Sequence, residues 1–295
     1  MADLSGIIMH SISGFYYVEA AEKVYECKAK GSFRNKKISP LVGDSVRIET
    51  DGDKGFIVEI GERKNFLLRP PVANLDLLFI VSSVEKPKPN LYVLDKLTAF
   101  AVRNGITPVM VFSKCDLGDP AEYVSVYSRA GFETVTTEIG TGMGLDRISS
   151  MIEGKICAFS GNSGVGKSSL LNSLCGELQL ETNEISEKLG RGKHTTRSVR
   201  LYRFGGGMIA DTPGFSSLDI INDKEKILKE DLPDCFPEFT RFSENCRFGT
   251  SCAHVNDKGC AVLQAVEDGL IARQRHENYV AMYEEVKNLR SWNIP

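Results

Sequence analysis

The chain has 295 residues, enough for two or three domains with a proper core. Hydrophobic and charged fractions of 42% and 25% are those of a globular protein, and a net charge of −3 argues against a nucleic-acid binder that works by bulk charge. No apolar run approaches a membrane span, and the opening MADLSGIIMHSISG lacks a charged-then-apolar signal pattern, so a cytoplasmic protein with no membrane partner is expected.

Residues 1–68 read as short strands, FYYVEA, KVYECKAKG, DSVRIET and KGFIVEIG, separated by Gly- and Asp-rich turns with no helical period. A small all-β barrel of the OB type fits this spacing, and a small SH3-like barrel would look similar. Within it, CKAKGSFRNKK (27–37) holds Lys28, Lys30, Arg34, Lys36 and Lys37 with no acid. A second acid-free cluster, GRGKHTTRSVRLYR (190–203), holds Arg191, Lys193, Arg197, Arg200 and Arg203. Either alone reads as an ordinary solvated face. Two on one chain, one beside a nucleotide motif, point to RNA or another phosphate-rich partner.

Pro70-Pro71 suits a linker, and beyond about residue 72 strand and helix alternate. LDLLFIV (75–81) is a buried strand and LYVLDKLTAFAVRNG (91–105) a helix closed by Gly105. TPVMVFS (107–113), a helix near 120–130, FETVTT (132–137), a helix near 144–152 and KICAFS (155–160) follow. Continuous apolar strands separated by helices predict a mainly parallel sheet covered on both faces. After about residue 221 the text turns to Pro, Phe and a Cys/His cluster, then a long helix from about 261.

GNSGVGKSS (161–169) fits the phosphate-loop pattern from Gly161 to Ser168 and sits between an apolar strand and a helix, the context that motif requires. Gly161, Asn162, Ser163, Gly164, Val165 and Gly166 would turn backbone N–H groups around phosphate oxygens, with Ser169 continuing into the helix. Lys167 would bridge the β- and γ-phosphates and Ser168 would ligate Mg²⁺. Downstream, GMIADTPGF (207–215) offers Asp211 to hold Mg²⁺ through water and Gly214 to sense the γ-phosphate. Between them GKHTTR supplies Thr195 and Thr196 as candidates to complete the Mg²⁺ shell, Thr196 being preferred. Phe215 stands where many GTPases carry a water-orienting Gln, and His194 is the candidate for that role.

SKCD (113–116) resembles the base-reading element of GTPases, with Asp116 to accept from guanine N1–H and N2–H₂ and Lys114 to cover the base. It precedes the phosphate loop, whereas in an ordinary GTPase it follows. Thr136-Thr137 and GTGMGLDRI suit a base-supporting loop, so the order reads as a GTPase sheet whose ends have been rejoined, which is feasible because termini often lie close together. In the C-terminal segment, CRFGTSCAHVNDKGC places Cys246, Cys252, His254 and Cys260 as C-x5-C-x-H-x5-C. Three thiolates and an imidazole make a closed tetrahedral set for one structural Zn²⁺. Three free thiols with a surface His is the alternative, and Cys235 and His276 are reserve ligands.

These features together resemble the RsgA (YjeQ) family of circularly permuted GTPases of small ribosomal subunit biogenesis, over essentially the whole chain. The permuted order, GNSGVGKSSL, GRGKHTTR, DTPGF and the Cys/His cluster carry the resemblance. It implies an α/β fold with three domains: an OB-type barrel (1–68), a permuted GTPase domain (69–220) and a largely helical zinc-binding domain (221–295). It also implies GTP hydrolysis stimulated by the small ribosomal subunit and a role in late maturation of that subunit; slow hydrolysis by the free protein is expected from Phe215, and binding to the subunit's rRNA, release on hydrolysis and a monomeric state are expected with it. Ser113 replaces the commoner Asn of the base-reading motif, and its shorter side chain is expected to weaken one tether to the phosphate loop. A phosphate-loop ATPase or small-molecule kinase, and a non-enzymatic RNA-binding module with a vestigial nucleotide site, are the competing readings.

Overall fold

The computed structural model describes residues 2–31, 33, 38–68, 70–177, 199–211 and 227–289. The first 60 residues carry five strands, β1 (Ala2–Ile12), β2 (Phe15–Ala20), β3 (Lys23–Ala29), β4 (Ser45–Asp51) and β5 (Lys54–Ile60). In β4 the buried Val46 and Ile48 alternate with exposed Ser45 and Arg47, the two-residue period of a half-buried strand. Ala2–Ile7 of β1 pairs antiparallel with β4, and Ile7–Ile12 pairs antiparallel with β2, with an irregularity between Ile8 and His10. Since β2 pairs with β3, β3 runs parallel to β5 and β5 pairs with β4, the order returns to β1 and closes a barrel of the expected OB type. β6 (Phe66–Leu68) and β7 (Pro71–Ala73) form an antiparallel pair where a linker was expected; Pro71 opens its strand, where a missing N–H is tolerated.

The remaining elements are β8 (Leu77–Ser83), α1 (Leu91–Arg103), β9 (Thr107–Ser113), α2 (Ala121–Arg129), β10 (Glu133–Thr136), α3 (Leu145–Ile152), β11 (Ile156–Ser160), α4 (Lys167–Glu177), β12 (Arg200–Phe204), β13 (Gly207–Asp211), α5 (Pro237–Ser243), α6 (Ala261–Glu267) and α7 (Arg273–Val286). β8 and β11 are buried at every position, as the continuous apolar runs of a covered sheet require. α1 starts at Asn90, whose side chain accepts from the Val93 N–H, and ends two residues before Gly105.

The chain divides into two compact units. One contains the barrel with β11, β12 and β13: β11 runs parallel to β13, β13 pairs antiparallel with β12, and β12 meets β1 where Arg200 faces His10. The other contains β8, β9 and β10, with β9 between the other two and parallel to β10, together with α1, α2, the phosphate loop and the C-terminal helices. The single long helix expected from about 261 is two, α6 and α7, because Gly269 turns the chain at φ +70. Their core, including Phe236, Phe239, Val262, Tyr279 and Met282, is continuous with Ala99 of α1. Among the described residues no helix is long and apolar enough to cross a membrane.

Candidate nucleotide site and metal centre

β9 delivers Ser113 at its C-terminal end, 3% exposed, and its hydroxyl donates to the Val165 carbonyl of the phosphate loop at 2.5 Å. The tether that the Asn-to-Ser change was expected to weaken is therefore made, because this backbone brings the shorter side chain into reach. Lys114, at φ +58, extends its ammonium to the carbonyls of Gly164 and Lys86, both at 2.7 Å. Ser113 and Lys114 thus fix the 113–116 turn to two consecutive residues of the 161–168 loop. Asp116 is exposed one residue beyond Cys115, in a turn closed by the Leu117 N–H on the Lys114 carbonyl at 2.9 Å.

The loop after β10 is pinned to the same turn. The Thr137 N–H donates to the Phe112 carbonyl at 2.8 Å and the Cys115 N–H to the Thr137 carbonyl at 3.3 Å. Gly144, at φ +83, lies so close to the Thr136 carbonyl that a Cβ would fall 2.2 Å from its oxygen. In the phosphate loop, Gly161 has φ +146, and a Cβ there would stand 2.2 Å from the Val81 carbonyl oxygen. Val165 is buried, whereas Ser163, Gly164, Ser168 and Ser169 are exposed and Asn162 and Gly166 half-buried. Lys167 opens α4 and donates to the carbonyls of Gly161 at 2.6 Å and Asn162 at 3.2 Å. Burial lowers its pKa, so this is a desolvated cation, for which an anionic ligand is the natural partner.

Asp211 closes β13 in the other unit, half-buried and opposite Arg200 across the hairpin; burial raises its carboxyl pKa. His194, Thr195, Thr196, Gly214 and Phe215 lie outside the described residues. The sequence reading overlooked the turn Val84–Asn90, where the Lys86 carbonyl receives Lys114 and the Ser83 hydroxyl donates to the Pro87 carbonyl at 2.6 Å. Its only signal was VEKPKPN at a strand's C-terminal end, the edge on which α/β sheets place ligand loops.

The RsgA GTPase family matches residues 60–221 and the RsgA N-terminal domain family residues 5–57. The chain belongs to the RsgA GTPase family. It is a GTP hydrolase, and in it SKCD precedes the glycine-rich GNSGVGKSS loop. Proteins named small ribosomal subunit biogenesis GTPase RsgA are similar over nearly the full chain. The one from Geobacillus sp. (strain WCH70) is 45% identical over 96% of this chain and 97% of its own. The one from Caldanaerobacter subterraneus subsp. tengcongensis is 45% identical over 97% of each. YjeQ from Thermotoga maritima superposes with a TM-score of 0.83 at 35% identity, covering 98% of this chain and all of that one. YloQ, described as a circularly permuted GTPase, gives 0.79 at 32% identity over 97% of this chain and 96% of that one.

In this RsgA-family chain the four Cys/His candidates converge. The ligand atoms of Cys246, Cys252, His254 and Cys260 all lie within 4.8 Å of one another, and all four residues are buried. His254 Nδ1 is 3.7 Å from Cys246 Sγ and 3.4 Å from Cys260 Sγ, and the two sulfurs are 3.8 Å apart. A tetrahedron of ligands about 2.3 Å from a central ion has edges of about 3.8 Å, so these residues fit one metal ion. Burial pushes the Cys252 thiol up to about 12, raises that of Cys260 and lowers the His254 imidazole, which favours the neutral ring a metal binds. Cys235 is not among the four; it is buried, and its thiol faces the Asp231 carbonyl at 3.3 Å. His276 donates from Nε2 to the His254 carbonyl at 2.7 Å.

Proposed function

We propose that the protein binds the small ribosomal subunit through its rRNA and assists its late maturation, using GTP with Mg²⁺. Hydrolysis is slow in the free protein, is stimulated by the subunit, and drives release of a monomeric, cytoplasmic factor. The observation that carries the nucleotide reading is the double tether of Ser113 and Lys114 to Val165 and Gly164, which sets the guanine reader at a fixed offset from the phosphate loop. An ATPase or kinase has no need of that register, and the relatives' names carry the ribosomal reading.

In this reading Asp116 selects guanine by accepting from two donors, while adenine would turn an acceptor toward it. Lys167 balances phosphate charge, and the Ser168 hydroxyl, Thr196 and Asp211 hold Mg²⁺, Asp211 through water. Phe215 cannot align the attacking water, and His194 takes that role. The metal of the Cys/His centre is Zn²⁺, which closes a small segment onto its helices. The domains run 1–68, 69–220 and 221–295.

Displacement of a fluorescent GDP analogue tests the nucleotide class: GTP and GDP should compete and ATP should not. Asp116→Asn should lose guanine preference, and Lys167→Ala should abolish turnover. Retained selectivity in Asp116→Asn would remove the SKCD turn from the site. Pelleting with small subunits in GDP and in a non-hydrolysable GTP analogue tests the partner and the release step; equal affinity in the two states would sink the latter.

A further inference from the structure

His276 looked like a spare metal ligand, yet its ring faces the peptide backbone. Its Nε2 lies 2.7 Å from the His254 carbonyl oxygen, and because a carbonyl only accepts, Nε2 carries the proton. Three residues later the Tyr279 hydroxyl donates to the Ala253 carbonyl at 2.6 Å. Positions three apart share one face of a helix, so α7 grips two consecutive carbonyls of the Cys252–His254 loop from one side. Both rings are buried, and Phe239 packs edge-on against His254 and Tyr279 with centroids 5.7 and 4.8 Å away.

His254 has φ +56, a left-handed conformation disfavoured for a residue with a Cβ unless its surroundings enforce it. Left to itself the peptide would relax and swing Nδ1 away from Cys246 and Cys260. We propose that His276 and Tyr279 are positioning residues of the metal centre: by holding the carbonyls of Ala253 and His254 they keep His254 in the turn that aims its Nδ1 at the sulfurs. This rests on the zinc reading above. α7 thus serves the metal through the backbone that carries a ligand, an outer-shell role different from the usual hydrogen bond to the ligand's own ring.

The test uses the full-length, zinc-loaded protein and follows transfer of zinc to the chromogenic chelator 4-(2-pyridylazo)resorcinol, with the visible spectrum of the cobalt-substituted form as a second readout. Tyr279→Phe removes only the hydroxyl; His276→Phe keeps a ring without the donor; His276→Gln keeps a donor of similar reach. Tyr279→Phe and His276→Phe should release zinc about 10- to 100-fold faster and shift the cobalt bands, while His276→Gln stays near wild type. Should His276→Phe fail to fold, Tyr279→Phe and His276→Gln still decide. Unchanged release and spectra in Tyr279→Phe and His276→Phe, from wild-type protein with stoichiometric zinc, overturn this proposal alone. Wild-type protein without stoichiometric metal overturns the zinc reading and this proposal with it.

Discussion

On the barrel's outer face Arg47 reaches Asp3 and Glu59, Lys30 reaches Glu49 and Lys23 reaches Asp53, with every side chain more than a third exposed. At the foot of α7, Arg275 is 1% exposed, 2.6 Å from Asp95 of α1 and paired with both carboxylate oxygens of Glu238 of α5 at 2.7 and 3.0 Å. The rings of Tyr127, Phe132 and Phe236 surround its guanidinium, and the Tyr127 hydroxyl donates to Asp95 at 2.8 Å. Burial works against the Arg275 charge, but the Asp95 and Glu238 carboxylates outweigh it and its pKa is raised. The barrel's pairs decorate a body already closed by strand pairing and a core. The buried cluster instead specifies one way of docking α5 and α7 on α1, the helix that leads into β9. The segment carrying the Cys/His cluster is thereby tied to α1. A nucleotide-driven movement of that segment has to carry α1 with it or break the cluster.

The largest expected effect follows from that anchor. Arg275→Ala leaves two carboxylates buried without their cation and should cost about 3–5 kcal/mol of stability. Urea unfolding of the full chain measures it. A loss below about 1 kcal/mol would mean that the cluster relaxes into water and anchors nothing.

The glycine turn between β11 and α4 was legible because its glycines take a backbone conformation that other residues avoid, and TPVMVFS matched β9 because a covered strand is one continuous apolar run. β1 was missed although it is the longest described strand. It pairs with β4 through its first half and β2 through its second, with an irregularity between, so no single two-residue period runs through ADLSGIIMHSI. β12 was read for its arginines, and the buried Leu201, Tyr202 and Phe204 that flank the exposed Arg203 went unnoticed. Asp95 and Arg275 are 180 positions apart, and no local pattern can announce a pair that only tertiary packing creates.

Ser113 falls between the two extremes, a neutral buried hydroxyl whose short contact is to the Val165 carbonyl at 2.5 Å, with the Ser82 carbonyl at 3.4 Å. Ser113→Ala would remove the hydroxyl donor from the Val165 carbonyl and leave Lys114 to hold the 113–116 turn to the 161–168 loop, at a cost of about 1–2 kcal/mol. If that register serves the proposed nucleotide site, the loss appears chiefly as GDP affinity weakened about 5- to 30-fold, with a smaller change in urea midpoint. Isothermal titration separates the two. Unchanged affinity would leave Lys114 as the sole functional tether.

The smallest effect belongs to the barrel. Arg47 is the best connected of its outer cations, bonded to Asp3 of β1 at 2.9 Å and Glu59 of β5 at 3.0 Å, and thus bridges both neighbours of β4. Its partners are well hydrated, so each contact exchanges one solvated state for another and confines a long side chain. Arg47→Ala should therefore leave the urea midpoint close to that of the wild type, and the difference should shrink further in 0.5 M salt, where exposed charges are screened within a few ångströms. Comparing urea midpoints of wild type and variant at low and high salt reads this directly. A large, salt-independent loss would place Arg47 with Arg275, as a structural cation whose aliphatic stem packs against the barrel wall, and would erase the contrast between the two regions.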